Sequence, residues 1–248
     1  MITIGSLFSG IGGFELGLER AIPNSKTIWQ VEQDSFCQKI LKKHWPNAKL
    51  YNDVKEVGAH NLEAPDIICG GFPCTDLSVC SRTRKGIHDG KESSLWFEMW
   101  RIISELRSKI IILENVPGIF TMGIREVLGG LATIGYNAEW QIVSARKEGR
   151  APQIRRRVFI VAYPQRTQTR AKDPIQAGRV PFILSDTRKR RETTYWEKIQ
   201  NPPGLCKLAY GIPNRMDRLR ALGNAIVPQC SEWVGKQILN SGLLNDLS

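Results

Sequence analysis

The stretch ITIGSLFSGIGGFELGLER, residues 2–20, reads as a strand, a glycine-rich turn and a helix. Apolar residues dominate 2–8, and residues 14–20 follow a helical pattern. Between them, the glycines of LFSGIGGF (7–14) permit a tight turn and a close approach of the backbone to a ligand. A helix N-terminus also favours an anionic group. The stretch therefore predicts a ligand site at the first turn of an α/β fold, although a purely structural turn would show the same glycines.

Six further apolar runs predict strands that alternate with helical segments. These strands are expected at 26–32, 49–54, 66–70, 110–115, 138–145 and 157–162. Helices are expected at Phe14–Arg20, Asp34–His44 and Leu95–Leu106. Strands that alternate with helices form mostly parallel, doubly wound sheets. We therefore predict a Rossmann-like α/β fold.

The alternation of strands and helices stops at about residue 163, where the chain becomes polar, basic and rich in proline. A regular pattern resumes with MDRLRALGNAIVPQ and an amphipathic closing helix. We therefore predict one catalytic domain made of residues 1–162 plus 213–248. Residues 163–212 would form a small, irregular, basic insert.

Composition and charge narrow the class of protein. No stretch approaches the ~18 apolar residues that a membrane span needs, so a soluble intracellular protein is expected. The six cysteines show no CxxC pair, which predicts free thiols and neither disulfides nor a metal site. Residues 146–220 hold 19 Lys and Arg against 6 Asp and Glu, whereas the rest of the chain holds 16 against 18. The excess of positive charge in one segment indicates a polyanionic partner.

Carboxylates end the strands that neighbour the glycine turn. Glu32 ends the second strand and suits two ribose hydroxyls, and Asp53 ends the third and can accept from an exocyclic amine. Together with the turn, they favour an adenosine cofactor. A dinucleotide is disfavoured because the glycine spacing is not GxGxxG.

A cysteine and a glutamate follow the next two strands. Cys74 lies in GGFPC at the end of the fourth strand, where it serves either packing or chemistry. Glu114 ends the fifth strand in LENVPG and is expected at the same sheet edge, one strand from the thiol. A thiolate with a carboxyl beside it can add to an electron-poor ring and protonate it. A purely structural carboxylate remains the alternative for Glu114.

Five blocks of this sequence resemble, in order, the signature motifs of the cytosine-C5 DNA methyltransferases. They are SLFSGIGGFELGLE, GGFPCTDLS, ENVPG, QIRRRVFIVA and RALGNAIVPQ. The resemblance implies a Rossmann-like methyltransferase fold that uses S-adenosyl-L-methionine. The segment where the family reads its target is unusually short here, and the preceding GIPNRMDRL does not resemble the family's usual motif.

The resemblance also assigns roles to residues. Cys74 corresponds to the nucleophile that adds to C6 of cytosine, and Glu114 to the group that holds N3 and the exocyclic amine. Arg155 and Arg157 resemble the pair that steadies the flipped base, and Ser78 would contact a flanking phosphate. The implied cofactor residues are Phe8, Gly10, Ile11, Gly13, Glu32, Asp53, Pro73, Leu95, Asn224 and Ala225.

Double-stranded DNA is the partner that the resemblance implies, with the target cytosine extruded from the helix. A polar loop at 78–94 is expected to close over it, although a solvated surface loop is the alternative. The residues expected to contact DNA are Ser78, Arg82, Arg84, Lys85, Arg188, Lys189, Arg190 and Arg191. We expect a cytoplasmic monomer in a bacterial or phage-infected cell, with no bound metal. The resemblance also allows a cognate restriction endonuclease that acts separately.

Two other functions remain open from the sequence. One is a tRNA cytosine-C5 methyltransferase that uses the same chemistry. The other is a non-catalytic DNA-binding relative, against which the intact Cys74 and Glu114 argue.

Overall fold

A computed structural model describes residues 1–73, 95–165 and 215–244. Seven strands form one sheet in the order β3-β2-β1-β4-β5-β7-β6. Their bounds are β1 Ile2–Leu7, β2 Ser25–Val31, β3 Lys49–Tyr51, β4 Ile67–Gly70, β5 Ile110–Asn115, β6 Tyr136–Ser144 and β7 Arg156–Pro164. All pairings from β3 to β5 are parallel, and β7 runs antiparallel to both of its neighbours. The prediction of a mostly parallel, Rossmann-like sheet is confirmed.

Strand β3 is shorter than the run from 49 to 54 predicts. It ends at Tyr51, and Asp53 begins a 3₁₀ turn by accepting a hydrogen bond from the backbone N–H of Lys55 at 3.0 Å. An aspartate competes with strand pairing through such local hydrogen bonds. The strand therefore stops before the carboxylate.

The helices cover both faces of the sheet. Their bounds are α1 Gly13–Ala21, α2 Ser35–His44, α3 Leu95–Leu106, α4 Ile119–Met122, α5 Ile124–Thr133, α6 Arg215–Asn224 and α7 Pro228–Ser241. In one core cluster, α3 and α5 pack on Ile68 and Ile111; in the other, α1 and α7 pack on Ile67 and Ile110. Successive strand residues point to opposite faces, so strands buried on both sides read as continuous apolar runs. None of the helices in the described ranges is long and apolar enough to cross a membrane.

The sequence pattern predicts no helix between 116 and 137, yet α4 and α5 lie there. Two adjacent glycines inside α5 obscure its helical pattern, since glycine is a poor helix former. Gly130 allows α3 to approach: the indole N–H of Trp100 donates to the Gly130 carbonyl at 2.7 Å. Tertiary packing therefore supports a helix that its own sequence signals weakly.

Helices α1 and α7 bring the two ends of the chain together. A Cβ added at Gly17 would overlap Ser231 Oγ and the carbonyl oxygen of Pro228, so the two helices need a glycine there to pack this closely. Ser231 Oγ donates to the Gly13 carbonyl at 2.9 Å in the buried interface. This contact fixes the N-terminus of α1, and with it the glycine turn, relative to α7.

The predicted division into a catalytic domain and a recognition insert stays a prediction. Residues 74–94, 166–214 and 245–248 lie outside the described residues, and most of the expected insert falls among them.

Candidate active site

A cleft of about 1140 Å³ opens at the carboxyl edge of the sheet. The chain runs from β1 outward to β3 and then returns to place β4 on the other side of β1, so the order of the strands reverses between β1 and β4. Ligands of open α/β sheets bind at such a switch point. Segments that follow β1, β2, β3, β4 and β5 all line this cleft.

The glycine turn forms the centre of the cleft. Phe8, Gly10 and Gly12 all have positive φ angles, of 55°, 56° and 85°. Only glycine adopts this conformation without cost, so Phe8 carries local strain of a kind that clusters at binding sites. A Cβ added at Gly10 would meet no heavy atom within 4 Å. The backbone of the turn is thus open to a ligand.

Glu32 is held in place by backbone groups on both sides. Its Oε2 accepts from the N–H of Gly10 and its Oε1 from the N–H of Asp34, each at 2.7 Å. These hydrogen bonds tie the carboxylate to the glycine turn and to the start of α2. Each oxygen keeps a lone pair for a ligand hydroxyl.

Most of the predicted cofactor residues come together in the structure. Those that line the cleft are Phe8, Gly10, Glu32, Asp53, Pro73, Leu95 and Asn224. Ile11, Gly13 and Ala225 are not among the lining residues. Gly13 instead packs closely against the backbone of Ile226, since a Cβ added at Gly13 would overlap the Ile226 carbonyl oxygen. Gly13 therefore has no room for a side chain.

Glu114 lies in the same cleft with its carboxyl almost fully buried. Nε of Arg157 is 2.8 Å from Oε1 of Glu114, which is ion-pair distance. Even so, Oε1 has no aligned hydrogen-bond donor among the described residues. Burial raises the pKa of Glu114, and the charges of Arg157 and Arg155 offset this only in part. The carboxyl therefore holds its proton to higher pH than a free glutamate does.

The two arginines reach this edge because β7 is antiparallel. Asn115 pairs with Val158, so the start of β7 lies beside the end of β5. Arg155 Nη1–H donates to the carbonyl of Gly223 at 2.7 Å, near the end of α6. Burial and the neighbouring Arg157 lower the pKa of Arg155. The sequence could predict the pair from QIRRR, but not this contact with α6.

The backbone after β4 lies directly against the carboxyl of Glu114. A Cβ added at Gly71 would lie 2.7 Å from Oε2 of Glu114. Phe72 is buried with its ring centroid 5.4 Å from that of Trp96, and Pro73 lines the cleft. Cys74 is bonded to Pro73 and itself lies outside the described residues. All residues expected to contact DNA also lie outside the described residues: Ser78, Arg82, Arg84, Lys85, Arg188, Lys189, Arg190 and Arg191.

The lining residues that sequence reasoning missed include Asn115, Asp34 and Arg220. Asn115 is buried, its Oδ1 accepts from the Val116 N–H at 2.7 Å, and its Nδ2 has no partner among the described residues. Asp34 and Arg220 form an ion pair at the rim. The ENVPG motif names Asn115, but the motif does not reveal an unpaired amide, and the rim pair joins residues 186 positions apart.

Among the cysteines of the described ranges, only Cys37 lines the cleft. The cysteines at 37, 69 and 230 are free and buried. Within those ranges, no group of three or more His, Cys, Asp or Glu side chains is arranged to hold a metal ion.

Comparisons with known proteins agree with this geometry. The family model for C-5 cytosine-specific DNA methylase matches residues 2–203. The chain is 31% identical over 167 residues to the Type II methyltransferase M.Bsp6I of Bacillus sp. (strain RFL6), covering 66% of this chain and 52% of that protein. It is 33% identical over 215 residues to M.FnuDI of Fusobacterium nucleatum, covering 82% and 57%.

Two solved structures are similar as well. A DNA modification methyltransferase encoded within an E. coli prophage matches with a TM-score of 0.55 and 28% identity, over 66% of this chain and 47% of that one. The S. pombe Dnmt2 methyltransferase matches with a TM-score of 0.55 over 72% of this chain and 55% of that one; at 18% identity it supports the fold alone.

The matched regions span only about half the length of these curated relatives. The family model nevertheless covers most of the chain, from the first strand to beyond β7. The chain therefore belongs to the C-5 cytosine-specific DNA methylase family.

Proposed function

We propose that this protein is a DNA cytosine-C5 methyltransferase that uses S-adenosylmethionine. The observation that carries the proposal is the position of Glu114. Its buried carboxyl, with a raised pKa and two arginines beside it, faces the same cleft as the glycine turn and Glu32. A group that can donate a proton thus lies next to a site suited to an adenosine cofactor.

The residues present fit that cofactor. The open backbone at Gly10 leaves room for a ligand against the turn, and the fixed Glu32 carboxylate offers acceptors to ribose hydroxyls. Asp53 lines the cleft at the end of β3, where it can accept from an adenine amine. S-adenosylmethionine would supply an electrophilic methyl group, bound to a positively charged sulfur, to this site.

The chain's own residues would make cytosine a methyl acceptor. A thiol is only a few per cent thiolate near pH 7, but that thiolate is strongly nucleophilic. When the Cys74 thiolate adds to C6, the electron pair of the C5–C6 double bond moves toward C5 and N3. Protonated Glu114 would stabilise the charge that develops at N3, by a hydrogen bond or by transfer of its proton.

The adduct must then be resolved. Once C5 carries the methyl group, loss of the C5 proton and departure of the Cys74 thiolate restore the C5–C6 double bond. Any proton that Glu114 gave to N3 returns to Glu114, which restores the free enzyme. No histidine is among the described residues that line the cleft. We therefore assign acceptance of the C5 proton to solvent.

The charge distribution favours a nucleic acid as the substrate, and the family of the chain favours DNA. The basic segment 146–220 includes Arg155 and Arg157 in the cleft and continues into the predicted insert. Cations of this kind hold the phosphate backbone without reading sequence. A duplex cytosine hides C6, so we propose that the base is flipped into the cleft, at a cost of about a few kcal/mol. The relatives carry the name Type II methyltransferase, which supports a role beside a separate endonuclease.

The test is transfer of a labelled methyl group from S-adenosylmethionine to duplex DNA and, in parallel, to tRNA. We expect 5-methylcytosine in the DNA and none in the tRNA. Label in tRNA alone would reject DNA as the substrate. Cofactor-independent DNA binding with no transfer to either would favour the non-catalytic alternative.

A further inference from the structure

Helix α6 lines the cleft, and few of its described side chains are buried. Among its described side chains only Ala221 is buried, whereas Met216 and Leu222 are 71% and 58% exposed. Helices in globular proteins usually dock through an apolar stripe. Its polar contacts are therefore expected to contribute to its position beside the cleft.

Two polar contacts hold α6, one near its C-terminus and one near its middle. Arg155 donates to the Gly223 carbonyl near the helix C-terminus, where carbonyls lack helical partners and a cation is favoured. On the other side, Arg220 Nη2 lies 2.5 Å from Oδ2 of Asp34; we call this contact the rim ion pair. Arg220 also lies 3.4 Å from Asp217 on its own helix, a longer contact.

Asp34 is a rigid partner for Arg220. Its Oδ1 accepts from the backbone N–H groups of Phe36 and Cys37, at 2.9 and 3.0 Å, and so caps α2. Burial raises the pKa of Asp34, but these hydrogen bonds and the charge of Arg220 outweigh that effect and hold the pKa below its usual value. Oδ2 is thus an ionised, fixed acceptor that faces α6.

The rim ion pair also adjoins the cofactor residues. The backbone N–H of Asp34 donates to Oε1 of Glu32, and Asp34, Arg220 and Asn224 all line the cleft. The pair therefore joins the wall that carries Glu32 to the wall that carries Asn224.

We propose that Arg220 is a positioning residue: by pairing with Asp34 it holds α6 across the mouth of the cleft and slows departure of the cofactor. The inference rests on the proposed function, because it concerns the same cofactor site. It needs no contact between Arg220 and the cofactor. Breaking the pair from either side should have one and the same effect.

The test uses a double-mutant cycle in the full-length protein. Arg220→Gln removes one charge, and Asp34→Asn removes the other while keeping a side-chain oxygen that caps α2. The dissociation constant and dissociation rate of S-adenosylhomocysteine are measured by calorimetry and stopped-flow tryptophan fluorescence at low and high salt. Each single variant is expected to raise both constants about two- to fivefold at low salt, the range of one exposed ion pair. The double variant should match the singles, and salt should abolish the difference.

Hydrogen exchange of the free protein tests whether the rim ion pair holds α6 in place when no cofactor is bound. The backbone amides of α6 should exchange faster in both single variants than in the wild type. Lys236→Gln is the matched control, because it breaks an exposed ion pair with Glu232 on α7 and should change nothing. Arg220→Lys keeps the charge and should retain most of the wild-type affinity.

Several outcomes would overturn the inference. Weaker binding in Arg220→Gln with none in Asp34→Asn would mean that Arg220 contacts the cofactor directly. Additive effects in the double variant would mean two separate roles. If the wild type bound no S-adenosylhomocysteine, the proposed function itself would fail, whereas equal binding by wild type and variants would reject the positioning role alone.

Discussion

Substituting Gly71 by alanine tests whether the close contact between the backbone before Cys74 and the carboxyl of Glu114 matters for catalysis. The added Cβ would lie 2.7 Å from Oε2 of Glu114, whereas ordinary contacts begin at 3.4 Å. Gly71 is not among the glycines with positive φ, so alanine meets no backbone strain there. The carboxyl or the segment must therefore move by about 0.7 Å, the difference between these two distances.

The geometry allows few ways to absorb that movement. Nε of Arg157 lies 2.8 Å from the other oxygen of Glu114, and the carboxyl is buried. Misplacement by about 1 Å can cost about 100-fold in rate. We therefore expect Gly71→Ala to lower kcat for methyl transfer about 10- to 100-fold, with a nearly unchanged dissociation constant for S-adenosylhomocysteine.

The assay is steady-state transfer of a labelled methyl group to duplex DNA, together with calorimetry of cofactor binding. Gly129→Ala is the control: its Cβ would meet no heavy atom within 4 Å. In the interior of α5, alanine should leave kcat unchanged and stabilise the fold by about 0.5–1 kcal/mol. If Gly71→Ala kept kcat within twofold of the wild type, the close contact with Glu114 would have no part in catalysis.

Three further predictions concern the core and the insert. Burial raises the pKa of Glu15 above its ordinary value of 4.5. The contribution of protonated Glu15 to the free energy of unfolding is therefore complete below pH 4.5 and is lost as the pH rises through the raised pKa. Glu15→Gln, which keeps an acceptor for Gln30, should match the wild type in urea unfolding at low pH and exceed it near neutrality; a lower stability at neutral pH would contradict this. Gly17→Ala should lower the free energy of unfolding by about 1–3 kcal/mol through overlap with Ser231, and urea unfolding equal to that of the wild type would refute the close packing. Arg190→Ala should weaken DNA binding across sequences and reduce the slope of log K against log salt by about 1; a change in the preferred sequence would instead indicate a base contact.

Much of the fold follows from local pattern. The buried strands β4 and β5 are continuous apolar runs, and each predicted strand corresponds to an observed one. The alternation with helices fixes the sheet as mostly parallel, because right-handed crossovers leave few other topologies. Helix α5 escaped prediction because its two glycines weaken the pattern, and its support comes from α3.

The sequence predicted the site residues that lie at or just after the ends of strands, because the position of a strand end can be inferred from the local pattern. Glu32 and Asp53 follow two strands and Glu114 lies near the end of a third, and a parallel sheet brings such ends to one edge. The rim ion pair and the contact between Arg155 and Gly223 join segments far apart in the chain. No periodicity reports such contacts, since they depend on how α6 crosses the cleft.

The central claim is that the sulfur of Cys74 bonds to C6 of cytosine in DNA. The direct measurement is the mass of the protein after incubation with S-adenosylmethionine and duplexes that carry 5-fluorocytosine, whose C5 has no proton to lose. We expect a covalent protein–DNA complex that peptide analysis maps to Cys74 and that is absent in Cys74→Ser. A complex that persists in Cys74→Ser, or methyl transfer by that variant at the wild-type rate, would contradict it.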